Sequence, residues 1–97
     1  MKRIELFANN SVETEIVRAL EENIKDFYYT LVPEIHGKGK TKYRLGTTTW
    51  PETNFLLITY LEDDDVEILK NVVIEVKKRF PQEGIKLFIV TSVELAQ

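Results

Sequence analysis

The 97 residues predict one α+β domain, a four-stranded antiparallel sheet with two helices on one of its faces. Three observations carry this. The N-terminal segment alternates apolar and polar residues, two later segments repeat apolar residues every three or four positions, and the rest holds short β-branched and aromatic runs. A chain of this length supports one core, so residues 1–97 are read as a single domain. With 43% hydrophobic and 30% charged residues it has enough apolar surface to fold rather than stay disordered.

From Lys2 to Ala8, Ile4 and Leu6 fall on one face while Arg3, Glu5 and Phe7 fall on the other, which predicts a half-buried strand. Asn10 then offers a helix N-cap, with Glu13 three residues on as the reciprocal carboxylate. Val12, Ile16, Leu20 and Ile24 step by four and predict an amphipathic helix. Phe27 to Val32 is aromatic and β-branched, and predicts a long strand running on toward Ile35 and His36; Pro33 demands an edge or a bulge. Residues 37–53 show neither period and read as a loop. Phe55 to Leu61 is a continuous apolar strand. Glu62 to Asp65 places four acids where a helix dipole favours them, and Val66, Leu69, Val73, Val76 and Phe80 carry that helix to the stop at Pro81. Gly84 turns the chain into a last strand over Leu87–Val90.

The order β-α-β-β-α-β is the split βαβ, or ferredoxin-like, arrangement. Its helices cover one sheet face only, so strands of an isolated domain should alternate. The third and fourth do not: Leu56, Ile58 and Tyr60 oppose Phe55, Leu57 and Leu61, and Phe88 and Val90 oppose Leu87 and Ile89. An apolar patch of that size marks an interface, and an oligomer that buries the sheet is expected.

Net charge is −3, which argues against a nucleic-acid binder held by bulk charge. The absence of cysteine excludes disulfides, a thiolate nucleophile and thiolate-bound metal, and fits a reducing compartment. Met1 to Phe7 lacks the apolar run of a signal peptide or membrane span, so a cytoplasmic location is expected. Between Gly37 and Trp50, however, stand Lys38, Lys40, Lys42 and Arg44 without an acid; against −3 for the whole chain, these four charges leave −7 for the rest. Such asymmetry focuses an anion onto one place. Gly37 and Gly39 can turn backbone N–H groups into an anion nest, and Thr41 and Thr47–Thr49 add hydroxyls. The spacing is not that of a P-loop. The plainer reading is a solvated loop kept soluble by its lysines.

The layout resembles the nitrogen-regulatory PII proteins and their PII-like relatives. The likeness runs from Arg3-Ile4-Glu5 through His36-Gly37-Lys38-Gly39-Lys40, a loop with Tyr43-Arg44, and Asp63-Asp64-Asp65, to the closing strand Phe88–Glu94. Trp50-Pro51-Glu52-x-Asn54 is similar to the shorter-looped, PII-like branch. The resemblance implies a homotrimer with sheets around a central axis, and a loop that contacts a target such as a membrane transporter or an enzyme. It also implies clefts between subunits that take a small anionic effector, often an adenine nucleotide. By position, one wall is His36, Gly37, Lys38, Gly39 and Lys40, with Arg44 and Trp50 from the loop. The other is Glu83 to Lys86 of a neighbour, with Gly84 and Lys86 as the contacts. That turn has a single glycine and the tail has no arginine, both departures from the nucleotide sites of PII itself. Tyr43 sits near the tyrosine that PII modifies, in a different and shorter loop.

Single residues admit other readings. His36 and Glu34 share a strand face and could hold a divalent metal, as in a CutA-like trimer, although one histidine per chain is a thin ligand set. Trp50 could stack on a base or anchor the loop. Tyr28, Tyr29 and Tyr60 are expected in the sheet or a subunit interface. No triad spacing points to an enzyme, and none is expected. The phosphate-gripping turn of acylphosphatase is replaced by Ala8-Asn9-Asn10-Ser11, and the third strand lacks the basic residues of an RNA-recognition domain. A module without ligand, recruiting a partner through the basic loop, is the remaining alternative.

Overall fold

The computed structural model describes residues 1–37, 53–91 and 93–97. Its strands are β1 (Lys2–Asn9), β2 (Thr30–Ile35), β3 (Asn54–Leu61) and β4 (Ile85–Val90); its helices are α1 (Glu13–Asn23) and α2 (Asp63–Arg79). The sheet order is β2-β3-β1-β4 with every pairing antiparallel, the ferredoxin-like arrangement that the element order predicts.

Side-chain parity sorts the sheet into two unlike faces. Ile4, Leu6 and Ala8 of β1 and Phe55, Leu57 and Leu61 of β3 are buried beneath the helices, which contribute Ile16 and Leu20 from α1 and Val66, Leu69, Val73 and Val76 from α2. Thr59 is the one polar side chain buried among the described residues; its hydroxyl donates to the Tyr28 carbonyl at 2.7 Å. That bond satisfies the Thr59 hydroxyl and ties the chain just before β2 to β3.

Three local expectations are corrected. The cap before the first helix is Asn9, not Asn10: the Asn9 side chain accepts from the Ser11 amide at 2.8 Å and opens a single 3-10 turn over Asn10–Val12, and α1 follows from Glu13 without a side-chain cap. The second strand begins at Thr30 rather than Phe27. Asp26 takes a left-handed conformation (φ 54°) that reverses the chain after α1. Phe27 and Tyr29 then stack on each other at 5.3 Å before regular pairing starts at Thr30 opposite Ile58. β-Propensity marked this run, but pairing partners decide a strand. Pro33 falls where the register against β3 shifts, between Val32 and Ile35, as an edge-strand proline requires. The last strand starts two residues earlier than Leu87, at Ile85.

Candidate functional site

The end of β1, the end of β2 and the starts of β3 and β4 all lie at one end of the sheet, because the strands alternate in direction. The β1–α1 turn knits them together. The Asn9 amide donates to the Gly84 carbonyl (3.3 Å) and the Asn10 amide to the Thr53 carbonyl (2.9 Å). The Asn10 side-chain amide donates to the Pro33 carbonyl (3.1 Å) and the Thr53 hydroxyl (2.8 Å). Pro33 lies in β2 ahead of the predicted loop and Thr53 is that loop's last residue, so one asparagine ties the two flanks together. Its Oδ1 is buried and has no hydrogen-bond partner among the described residues. Sequence reasoning gave Asn10 a cap role only; a small polar residue directly after an apolar strand is the one signal it offered.

Of the predicted site residues, Lys38, Gly39, Lys40, Arg44 and Trp50 lie outside the described residues, as does Tyr43. His36 and Gly37 follow β2 and are exposed. His36 Nε2 stands 3.7 Å from the Glu34 carboxylate, with His36 just past the end of β2 rather than within the strand. Both side chains are largely in solvent, so the pairing adds little stability. No group of three or more metal-ligating side chains is assembled among the described residues.

The second wall is at the opposite edge. Gly84 and Lys86 open β4, and two strands, β3 and β1, separate that edge from β2. At strand spacings near 4.8 Å this puts His36 and Lys86 roughly 14 Å apart across the sheet. A single chain therefore does not join them. Lys86 is exposed on the face away from the helices, in register with Phe7. Glu83 accepts from the Ser11 hydroxyl (2.9 Å), while Lys77 reaches over to the Glu83 carbonyl (2.5 Å). A Cβ placed on Gly37 or Gly84 would meet nothing within 4 Å, so neither glycine is demanded by packing inside the chain.

The sheet face away from the helices is the third feature. Tyr60 (48% exposed), Phe88 (50%) and Val90 (43%) lie on it with Phe7, Leu56 and Ile58. Phe88 meets Phe7 edge to face at 5.8 Å. Arg3 and Glu5 on this surface satisfy each other: Arg3 Nε donates to Glu5 at 2.7 Å and Arg3 Nη1 to the Tyr60 hydroxyl at 2.7 Å. The hydrogen bond to Glu5, with the neighbouring Tyr60, holds the Arg3 guanidinium pKa above its ordinary value. Of the three tyrosines expected in the sheet or an interface, Tyr60 is on this face, Tyr29 stacks on Phe27 and Tyr28 is 79% exposed.

These features define a ferredoxin-like domain with one bare apolar sheet face and a knitted strand end. No protein-family model and no curated protein matches the chain. Among solved structures it is similar to CPII, a nitrogen regulatory PII-like protein from Thiomonas intermedia K12 bound to ADP, AMP and bicarbonate. That likeness has 14% identity and a TM-score of 0.70, over 99% of this chain and 92% of that one. A DUF3240 family protein from Shewanella baltica OS155 is 18% identical with a TM-score of 0.63, covering 99% and 93% of the two chains. The de novo designed protein Foldit4 is 13% identical with a TM-score of 0.59, covering 95% and 98%. The chain thus has the fold of PII-like proteins, a fold that a designed sequence also reaches. No helix among the described residues is long and apolar enough to cross a membrane.

Proposed function

We propose that this chain is a cytoplasmic, PII-like signalling protein of the shorter-looped branch, acting as a trimer with the bare sheet faces turned toward a shared axis. It binds an adenine nucleotide, or a related small anion, between the loop base of one copy and the turn before β4 of the next. The observation that carries this reading is the separation of the two walls: His36 and Gly37 sit at the same end of the sheet as Gly84 and Lys86, yet at opposite edges. Copies set side by side bring those edges together, whereas one chain cannot. The likeness to CPII, whose structures hold ADP and AMP, supports the nucleotide as ligand class.

In this reading the effector's anionic group meets Gly37, Lys38, Gly39 and Lys40 with His36, and Lys86 comes from the neighbour. Residues 37–53 carry the readout to a protein target, because a ligand shifts a loop only by binding its arrangements unequally. No chemical step is assigned to the protein.

Calorimetric titration with ADP, AMP, ATP, cyclic dinucleotides and bicarbonate tests the ligand. Losing one charge-assisted hydrogen bond is worth about 1.5–3 kcal/mol, so Lys40→Ala and Lys86→Ala should each weaken binding by about tenfold to a hundredfold. Heat from none of these compounds would remove the effector, and binding untouched by both variants would remove the site.

A further inference from the structure

The two edges of the sheet carry grooves of opposite chemistry. Between α2 and β4 lies a groove of about 360 Å³ floored by Ile74, Ile85 and Leu87, with Lys70, Lys77 and Lys78 on its rim. Ile74 is 51% exposed, an unusual place for isoleucine on a helix whose other apolar positions face the core. Between α1 and β2 lies a second groove, of about 460 Å³, floored by Val17, Tyr29 and Leu31 and rimmed by Glu13, Glu21 and Arg18. Arg18 is engaged by Glu15 at 3.5 Å. Glu13 and Glu21 make no ion pair among the described residues.

Direction makes the two rims match. α1 starts at the knitted end of the sheet and runs away from it, whereas α2 ends there. Glu13 and Lys77 are therefore at the same height, and Glu21 and Lys70 lie farther down. Eight residues of helix separate Glu13 from Glu21, about 12 Å; seven separate Lys70 from Lys77, about 10.5 Å. The basic last turn of α2 (Lys77, Lys78, Arg79) and the acidic first turn of α1 (Glu13, Glu15) also carry the helix dipoles in complementary sense.

We propose that the α2–β4 groove of one copy seats the α1–β2 edge of a second copy, with Lys77 facing Glu13 and Lys70 facing Glu21. This rests on the trimeric reading above and specifies the seam on which its ligand cleft depends. β2 and β4 run in opposite directions, so the seam sets Thr30–Val32 antiparallel beside the far half of β4. Beyond Val32, Pro33 and the register shift prevent continued pairing. The seam thus closes at one end and opens at the other, where His36 and Gly84 stand. Because the two edges differ, the contact is head-to-tail, and a turn of one third of a circle per copy closes it into the proposed ring of three.

Light scattering and sedimentation equilibrium of charge-reversed full chains test the pairing. Lys70→Glu with Lys77→Glu, or Glu13→Lys with Glu21→Lys, should raise the concentration needed for assembly by about tenfold or more, since two attractive pairs become repulsive at each seam. All four substitutions in one chain restore the complement and should restore the wild-type mass. An equimolar mixture of the two double variants should not give the trimer. One variant is acidic at both edges and the other basic at both, so a ring of three always holds a like-charged seam. Circular dichroism melts establish that each variant is folded. A trimeric wild type whose double variants keep its mass, or whose fourfold variant fails to recover it, overturns this seam alone. A wild-type chain of 11.3 kDa at all concentrations overturns the seam and the trimeric reading together.

Discussion

Phe88→Ala asks directly what covers the bare face of the sheet. Phe88 is half exposed and its one ring contact among the described residues is Phe7, edge to face at 5.8 Å. A phenylalanine carries roughly 200 Å² of surface, so about 100 Å² remains for a partner to cover. At ~25 cal/mol per Å² this is worth about 2.5 kcal/mol per copy, and about 7.5 kcal/mol over three copies. The trimerisation constant should fall by roughly five powers of ten. It varies with the square of concentration, so the midpoint of assembly should move upward several-hundred-fold, on the order of the square root of that factor. Within one chain the substitution removes an aromatic pair and a half-buried ring at a cost of about 2–3 kcal/mol, which a domain holding 5–15 kcal/mol survives. Sedimentation equilibrium from nanomolar to high micromolar concentration reads the midpoint, and a thermal melt of the dilute variant confirms folding. A folded variant whose assembly curve overlies that of wild type would refute the assignment of this face to the interface.

Two further perturbations probe how the strand ends are held. Asn10→Ala removes the bonds to Pro33 and Thr53 and should cost about 1–2 kcal/mol in urea unfolding. Hydrogen exchange should quicken at the end of β2 and the start of β3 while the β1–β4 ladder keeps its protection. Asp26→Gly should raise the urea midpoint by the equivalent of about 0.5–1 kcal/mol, because Asp26 holds a left-handed backbone (φ 54°) that costs an L-residue energy; Asp26→Val should lower it.

Most of the fold was legible because its signals are periodic. The four-residue steps of Val12, Ile16, Leu20 and Ile24 mark residues that are all buried, and the parity of β1, β3 and β4 assigns every apolar side chain to its face. What escaped was set by partners distant in sequence. Asn10 is drawn from capping by Pro33 and Thr53, 23 and 43 residues away, and Asn9 takes its place. Phe27 to Tyr29 has the composition of a strand, but the left-handed turn at Asp26 and the stacking of Phe27 on Tyr29 delay pairing until Thr30. The site was legible as residue types and not as a place: nothing in the spacing of His36 and Lys86 shows that a whole sheet stands between them. Sheet order does that, and it emerges only from the crossovers.

That a designed sequence reaches the same fold sharpens what the fold can explain. Burying Ile4, Leu6, Phe55 and Leu57 under two helices is enough to make this backbone, and it obliges the molecule to bind nothing. The residues that carry meaning are those the backbone does not need. A lone domain buries only about half of Phe88, Tyr60 and Val90, and would be more soluble with polar groups there. Arg3 is bonded to Glu5 and Tyr60 within its own chain, so drying this face does not strand its charge. Cations gather along one edge and carboxylates along the other at matching heights. The bare face is a cost to the single chain and a benefit to a ring. The two half-sites at opposite edges follow the same logic: an effector that bridges them is read only by an assembled protein, which couples ligand binding to the seams between copies.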